Sequence, residues 1–168
     1  MKIYIGIDIG KKGGIAILKE TGEIETIRMP ADKKVLLHLD LIKYIGSLKS
    51  IGGDKYICLE KTSSRPGEGV VSAYKFGYAA GGLGYLLYHL SFEDSSFKWI
   101  HHVHPITWKR HFELLDSNCS KYQKKKLSVD YCNKEYNMSL KYKDDGMADA
   151  ILLAKYMEYT VLNIEKGE

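Results

Sequence analysis

The sequence predicts an α/β fold in which helices flank a five-stranded mixed sheet whose first three strands are antiparallel. Two observations lead to this prediction. Short glycine-containing turns separate the first three strand-like segments, as in an antiparallel meander. The later strand-like segments are separated by stretches of helical spacing, which are long enough to serve as crossover helices. The 168 residues suffice for one ordinary domain, so we expect residues 1–168 to form a single domain.

The individual elements follow from the spacing of apolar residues. Alternating Ile3, Ile5 and Ile7 indicate a first strand that ends at Asp8, and a tight turn follows at residues 10–14. The remaining predicted elements are strands at 15–18 and 24–29, a helix at 33–48, a strand at 56–59 that ends on Glu60, a polar loop at 61–69, a glycine-rich helix at 70–90, a strand at 98–103, a turn with a short helix at 105–112, a basic helix at 122–136 and a final helix at 145–162.

The composition argues against several classes of protein. No apolar run approaches the roughly 18 residues that a membrane-spanning helix needs, so we expect no membrane partner. The N-terminus enters a strand pattern at once, which leaves no room for a signal or transit peptide. Three widely spaced cysteines favour a reducing interior, and we expect a cytoplasmic protein of a bacterium or a phage-infected cell. The net charge of +4 permits nucleic-acid binding without requiring it.

Four carboxylates occupy positions typical of a catalytic site. Asp8 and Glu60 each close an apolar strand, and the carboxyl ends of strands in such sheets face the crevice in which ligands bind. If the first and fourth strands are neighbours, these two acids converge. Asp145 and Asp149 are four residues apart at the start of the last helix, so their side chains lie on one helical face.

This set of acids favours a hard divalent cation. Carboxylate oxygens are the ligands that Mg²⁺ and Mn²⁺ prefer. Two such ions about 3.5–4 Å apart would activate a water and stabilise the leaving oxygen in phosphodiester hydrolysis. Taken singly, the acids have ordinary structural alternatives: turn chemistry for Asp8, an ion pair with Lys61 or Arg65 for Glu60, and a helix N-cap for Asp144 or Asp145.

Five segments in a fixed order carry a resemblance to a known family. They are residues 5–10 (IGIDIG), 13–16 (GGIA), 59–60 (LE), 105–112 (PITWKRHF) and 145–150 (DGMADA). Together they resemble the RuvC-type Holliday junction resolvases, and residues 105–112 resemble the chloroplast and bacteriophage members. The resemblance extends from residue 3 to about residue 156. It implies a ribonuclease H-like fold, a homodimer, two divalent metal ions and paired nicks across a four-way DNA junction.

The resemblance also bears on the individual acids. In bacterial members one carboxylate lies three residues before the last acid, and that position is Gly146 in this chain. Asp145 or Asp144 must supply it, and the four-residue spacing to Asp149 favours Asp145. The other family carboxylates are matched by position at Asp8, Glu60 and Asp149.

A second group of residues is predicted to contact branched DNA. Basic residues would meet phosphates and aromatic residues would meet unstacked bases. The ordinary alternatives are solvated surface for the charges and core packing for the aromatics, and we favour the core for at least one aromatic. For Lys109, the resemblance favours a phosphate contact near the metals. The predicted DNA-contacting residues are Lys11, Lys12, Lys61, Arg65, Tyr74, Phe76, Lys109, Arg110, Lys124 and Lys125.

A glycine stripe on the helix at 70–90 predicts close packing against another backbone. Gly77, Gly81 and Gly84 share one face, although each interior glycine costs up to about 1 kcal/mol of helix stability relative to alanine. The facing element is either the sheet of the same chain or the matching helix of a second subunit. We expect both to be involved, with the stripe in a homodimer interface.

Three other functions fit parts of the sequence. An actin- or sugar-kinase-like protein also has an acid and a glycine after its first strand, but the chain is too short for the two domains that hold nucleotide, so we expect no nucleotide cofactor. A ribonuclease H or a ribosomal RNA processing nuclease would use the same metal chemistry, which the carboxylates cannot distinguish. The complete set of acids argues against a catalytically silent junction-binding protein.

Overall fold

The computed structural model of the chain describes residues 1–30, 39–61, 63, 67, 69–116 and 120–167. Short 3-10 turns at Leu48–Ser50 and Tyr142–Asp144 come before the fourth strand and the last helix. The strands and helices are β1 (Lys2–Asp8), β2 (Gly14–Lys19), β3 (Ile24–Arg28), α1 (Leu39–Ser47), β4 (Asp54–Glu60), α2 (Val70–Glu93), β5 (Phe97–Val103), α3 (Pro105–His111), α4 (Lys121–Glu135) and α5 (Asp145–Lys166).

The five strands form one mixed sheet in the order β3-β2-β1-β4-β5. Strands β1, β2 and β3 pair antiparallel, as the short turns between them require. Strands β1, β4 and β5 pair parallel, which requires crossover connections. The predicted fold class, including the antiparallel first three strands, is confirmed.

Alternate residues of β1 face two different hydrophobic cores. Ile3, Ile5 and Ile7 are fully buried in the core that also contains residues of α1 and α2. Tyr4 points to the opposite face, where its core is shared with α3, α4 and α5. The sheet is therefore covered on both faces, and this explains why β1 is apolar along nearly its whole length.

Helix α5 crosses the sheet in direct backbone contact with β1 and β2. A Cβ built on Gly6 would clash with the backbone of α5 at Ala150 and Ala154. At the start of the helix, Gly13 forms an isolated parallel bridge with Gly146. These close approaches bring the first turn of α5 next to the end of β1.

Several predicted boundaries differ by a few residues. Residues 33–38 of the first predicted helix lie outside the described residues, and the described part is α1. Helix α2 continues to Glu93 and α5 to Lys166, beyond the predicted ends at residues 90 and 162. Their final turns are mostly exposed, including the apolar Phe92 and Ile164, so no buried apolar period marks them. Helix α5 ends where Gly167 adopts a left-handed conformation with φ of 77°.

In the part of the chain that the structure describes, none of the helices combines the length and the apolar character needed to cross a membrane.

Candidate active site

Two of the predicted acids meet at the carboxyl end of the sheet. Asp8 is the last residue of β1 and Glu60 is the last residue of β4. The two strands are parallel neighbours, and their register pairs Ile7 with Leu59, the residues immediately before the acids. The expected adjacency of the first and fourth strands is confirmed, so Asp8 and Glu60 emerge side by side.

The first turns of α5 bring two more acids to the same place. Burial raises the pKa of Asp8 well above its usual range, and the negative charges of Asp149 and Glu60 raise it further. Asp145 adds to this effect, while the Lys109 ammonium opposes it. Burial likewise raises the pKa of Asp149, against the opposing effect of Lys109. The four predicted acids therefore share one electrostatic site.

Helix α3 supplies partners for two of these acids. The indole Nε1–H of Trp108 donates to Oε2 of Glu60 at 3.0 Å. The Nζ of the next residue, Lys109, lies 3.5 Å from Oδ2 of Asp149. A helix of seven residues thus connects an acid from the sheet with an acid from α5.

Helix α4 contributes a partner that the sequence did not reveal. Ser128 is 3% exposed, and its hydroxyl forms a hydrogen bond with Asp149 that lowers the pKa of the acid. The partnership of Trp108 with Glu60 was also missed. In the sequence, Ser128 is a serine between the apolar residues Leu127 and Val129, and Trp108 is a tryptophan next to a predicted functional lysine. Neither pattern indicates which acid the side chain contacts.

Asp144 and Asp145, the two candidates for the fourth acid, have different surroundings. The pKa of Asp144 is lowered, first by a hydrogen bond from the backbone N–H of Lys141 at 2.9 Å and also by its ion pair with Arg28. Asp144 thus has structural partners of its own. Asp145 contributes negative charge at both Asp8 and Asp149.

Position 146, between Asp145 and Asp149, has no room for a side chain. A Cβ at Gly146 would clash with the carbonyl oxygen of Lys12 and lie 2.5 Å from the Cα of Gly13. No acidic side chain fits at this position while the turn between β1 and β2 packs on α5. The geometry therefore excludes an acid at position 146, and the preference for Asp145 over Asp144 as the fourth acid stays a prediction.

The chemistry of this donor set fits a hard divalent cation. Ionised carboxylates offer only acceptor oxygens, the ligands of Mg²⁺ and Mn²⁺. Among the described residues, however, no three His, Cys, Asp or Glu side chains are arranged as a ready-made metal-binding group. Glu60 accepts from Trp108, and Asp149 faces Lys109. The residues present fit a cation by type and charge, while their side-chain oxygens are not gathered around one point.

Most of the predicted DNA-contacting cations lie on the surface. Lys109 is the exception, because its ammonium reaches the acids and lies 4.8 Å from the centre of the Trp108 ring. Arg65 lies outside the described residues, as does the side chain of Lys125. The predicted residues with exposed positions are Lys11, Lys12, Lys61, Arg110 and Lys124.

The two predicted aromatic contacts separate into one exposed and one packed residue. Tyr74 is 71% exposed and stacks on Tyr78, with ring centroids 6.4 Å apart. Phe76 is half-buried and packs against the core beneath α2. This agrees with the expectation that at least one of the two packs in the core, and that one is Phe76.

The predicted glycine stripe is divided between the inside and the outside of the molecule. Gly77 and Gly81 are exposed, with open space where a Cβ would lie. Gly84 is buried, and its nearest neighbour is the ring of His102 on β5 of the same chain, 3.9 Å from a built Cβ. Gly84 thus faces the sheet of its own chain, one of the two expected partners of the stripe, and is not available to a homodimer interface.

Three comparisons with known proteins tested whether this fold has relatives. No family model matches the chain, and no curated protein matches it. Among solved structures, the yeast mitochondrial Holliday junction resolvase Ydc2 matches with a TM-score of 0.54, covering 94% of this chain and 78% of that chain at 15% sequence identity. This likeness shows that the two proteins share an α/β fold, and the predicted fold class, a five-stranded mixed sheet flanked by helices, is confirmed.

Proposed function

We propose that this chain is a metal-dependent endonuclease that resolves four-way DNA junctions by paired phosphodiester hydrolysis. The observation that carries the proposal is the convergence of Asp8, Glu60, Asp145 and Asp149 at one end of the sheet. Buried like charges are costly unless something compensates them, and burial together with the charges of the other acids raises the pKa of Asp8 well above its usual range. A site of this kind would attract and bind cations.

The four acids would hold two Mg²⁺ or Mn²⁺ ions. When bound, such ions activate a water and stabilise the leaving oxygen of a phosphodiester. Asp8 and Glu60 offer oxygens from the sheet, whereas Asp145 and Asp149 offer oxygens from α5. The acids come from separate elements of a rigid core, so their relative positions do not depend on a flexible loop.

Lys109 has the position of a phosphate ligand. Its ammonium is 3.5 Å from Asp149, so it stands next to the acids that would hold the ions. Cations at Asp149 would compete with this ion pair, and the released ammonium would then be available to a scissile phosphate. The exposed Lys11, Lys12 and Arg110 would bind the DNA backbone without reading its sequence.

Helix α2 presents a surface that fits a second copy of this chain. Its 24 residues extend about 36 Å, and its outer face carries the exposed aromatic rings of Tyr78 and Tyr85, which are 65% and 75% exposed. Gly81 lies between them and leaves a notch in the surface. An isologous dimer would pair each aromatic ring with the partner's notch, and two active sites would face a two-fold symmetric junction.

The fold likeness supports the choice of substrate. The matching solved structure is described as a Holliday junction resolvase, and the present chain shares its fold. Ribonuclease H activity uses the same metal chemistry, so the substrate must be tested directly.

The decisive experiment compares cleavage of labelled four-way junction, fork, linear duplex and RNA–DNA hybrid in Mg²⁺ or Mn²⁺. We expect paired nicks in the four-way junction and little cleavage of the linear duplex. Exclusive cleavage of the hybrid would contradict the proposal and establish the ribonuclease H alternative. Cleavage of the junction in EDTA would contradict the metal requirement.

The dimer is tested by introducing a large charge into the notch. Gly81→Arg should yield monomers in light scattering and convert paired nicks into single ones. Gly46→Arg is the matched control, because Gly46 also lies in a helix with open space at its Cβ position but on α1. A dimer that persists in Gly81→Arg, or one lost equally in Gly46→Arg, would exclude this face of α2 as the interface.

A further inference from the structure

Trp108 is a fully buried tryptophan whose only polar atom is directed at the candidate active site. Its relative exposure is 0%, and its ring belongs to the core beneath α5. A buried indole N–H is costly without an acceptor, and here the acceptor is Oε2 of Glu60 at 3.0 Å. The hydrogen bond runs from the interior of the protein to an acid of the site.

The hydrogen bond restrains a side chain that would otherwise be adjustable. Glutamate has several rotatable bonds, and Glu60 is only half-buried at the end of β4. Trp108 cannot move without disturbing the packed core around it. One oxygen of Glu60 is therefore held in place by a rigid partner.

The donor is neutral, and this distinguishes it from Lys109. A lysine beside an acid offsets its charge, as Lys109 does at Asp149. An indole N–H restrains the carboxylate without cancelling the charge that would attract a cation. Lys109 also lies over the ring of Trp108, 4.8 Å from its centre, so adjacent residues of α3 engage both acids.

We infer that Trp108 is a positioning residue that orients the Glu60 carboxylate for a divalent cation. The inference rests on the proposed metal-dependent function and deepens it. Hydrogen-bond partners of metal-binding side chains typically contribute a factor of roughly 10–100 in metal affinity or activity. Trp108 would act through Glu60 without touching the metal or the DNA.

The unmodified protein offers a direct test, because the sequence contains two tryptophans. In a ¹⁵N-labelled sample the indole N–H groups of Trp99 and Trp108 give two separate NMR signals. Trp99 is a built-in control, since it lies four residues before the end of β5, about 13 Å from the site along the strand. A Trp99→Phe sample assigns the signals.

We expect Mg²⁺ to shift the Trp108 indole signal in a saturable manner while the Trp99 signal stays in place. Glu60→Gln should move the Trp108 signal in the metal-free protein and abolish its response to Mg²⁺. A Trp108 signal that ignores both Mg²⁺ and the Glu60 substitution would overturn the inference.

A coupling measurement adds a functional readout. Mn²⁺ affinity, measured by calorimetry, should fall roughly 10-fold in Trp108→Phe, which keeps an aromatic ring but loses the donor. In a Glu60→Gln background the same substitution should have no further effect. Phe112→Leu controls for lost core volume, because Phe112 is also buried but packs on His111 and Tyr131.

The outcomes separate this inference from the proposed function. If Glu60→Gln weakens Mn²⁺ binding but Trp108→Phe matches Phe112→Leu, the positioning role is wrong and the metal site stands. Equal losses from Trp108→Phe in both backgrounds would also refute it, by showing an effect that bypasses Glu60. If Glu60→Gln leaves Mn²⁺ binding unchanged, both the metal site and the inference fail.

Discussion

The two ends of strand β4 place charged side chains in opposite electrostatic surroundings. At the amino end, Lys55 is 1% exposed, and its ammonium donates to the hydroxyl of Ser96 at 2.8 Å and to the carbonyl of Gly53 at 3.1 Å. It also lies 5.2 Å from the centre of the Phe97 ring. At the carboxyl end, Glu60 lies beside Asp8, whose pKa is raised by burial and further by the negative charges of Asp149 and Glu60.

The difference shows which buried charges serve the fold. The surroundings of Lys55 are complementary to its charge, so they stabilise the folded chain as it stands. The surroundings of Asp8 include other negative charges, and Lys109 offsets them only in part. This contrast agrees with the proposal that the carboxyl end of β4 binds a cation, whereas the amino end serves the fold.

The largest expected effect comes from removing a charge at the acid end. Asp8→Asn or Glu60→Gln should lower junction cleavage on the order of 10³-fold or more, because each removes one of the oxygen ligands proposed for a catalytic ion. Binding to the junction in Ca²⁺ should remain. Asp40→Asn, an exposed acid on α1, is the control and should cleave normally. Full activity of Asp8→Asn would show that the acids at the carboxyl end of the sheet are not needed for cleavage, so the two ends of β4 would not differ in function.

A sharper comparison uses two adjacent acids. Asp145→Asn should lower cleavage on the order of 10²-fold, since it removes a charge that reaches Asp8 and Asp149. Asp144→Asn should keep cleavage and lower the free energy of unfolding by about 1 kcal/mol, because it weakens the contacts with Arg28 and Lys141. Cleavage assays and denaturant titrations measure the pair. The reverse pattern would move the fourth acid to Asp144.

Substitution at the other end should affect stability alone. Lys55→Ala leaves the partners at Ser96 and Gly53 without their donor and should lower the free energy of unfolding by roughly 1–3 kcal/mol. Cleavage per folded molecule should not change. A fall in the cleavage rate with unchanged stability would show that the two ends are not independent. Urea titration and single-turnover cleavage give the two quantities.

The smallest expected effect is a pH dependence in the metal-free protein. The folded-state pKa of Asp8 is raised, so its contribution to stability is present below the unfolded value of about 3.9 and is lost as pH rises through the folded pKa. Asp8→Asn should therefore melt at a temperature close to that of the wild type near pH 4 and at a higher one near pH 8.

Asp144 should show the opposite sign. Its folded-state pKa is lowered, so its contribution is present above the unfolded pKa and is lost as pH falls. Asp144→Asn should be less stable than the wild type at neutral pH and should approach it in acid. Melting curves in EDTA across this pH range measure both variants, and the same sign for both would contradict the contrast drawn between the neighbouring acids.

Much of the site could be read from local patterns. Asp8 and Glu60 close apolar strands, and a four-residue spacing puts Asp145 and Asp149 on one face of a helix. Such patterns depend on residues close together in the chain, so periodicity reveals them. The glycine stripe shows what local patterns do not reveal. Gly77 and Gly84 occupy equivalent positions in the pattern, but His102 covers Gly84 and leaves Gly77 open.

The sequence by itself determined the order of the elements and the acids at their ends, because strand and helix periods are local properties of the chain. The tertiary structure alone decided which acids meet and what holds them. The pairing of β1 with β4, the contact of Gly146 with Gly13, the ion pair of Arg28 with Asp144 and the hydrogen bond from Trp108 to Glu60 join residues far apart in the chain. Contacts at such separations arise from packing, which no local pattern records.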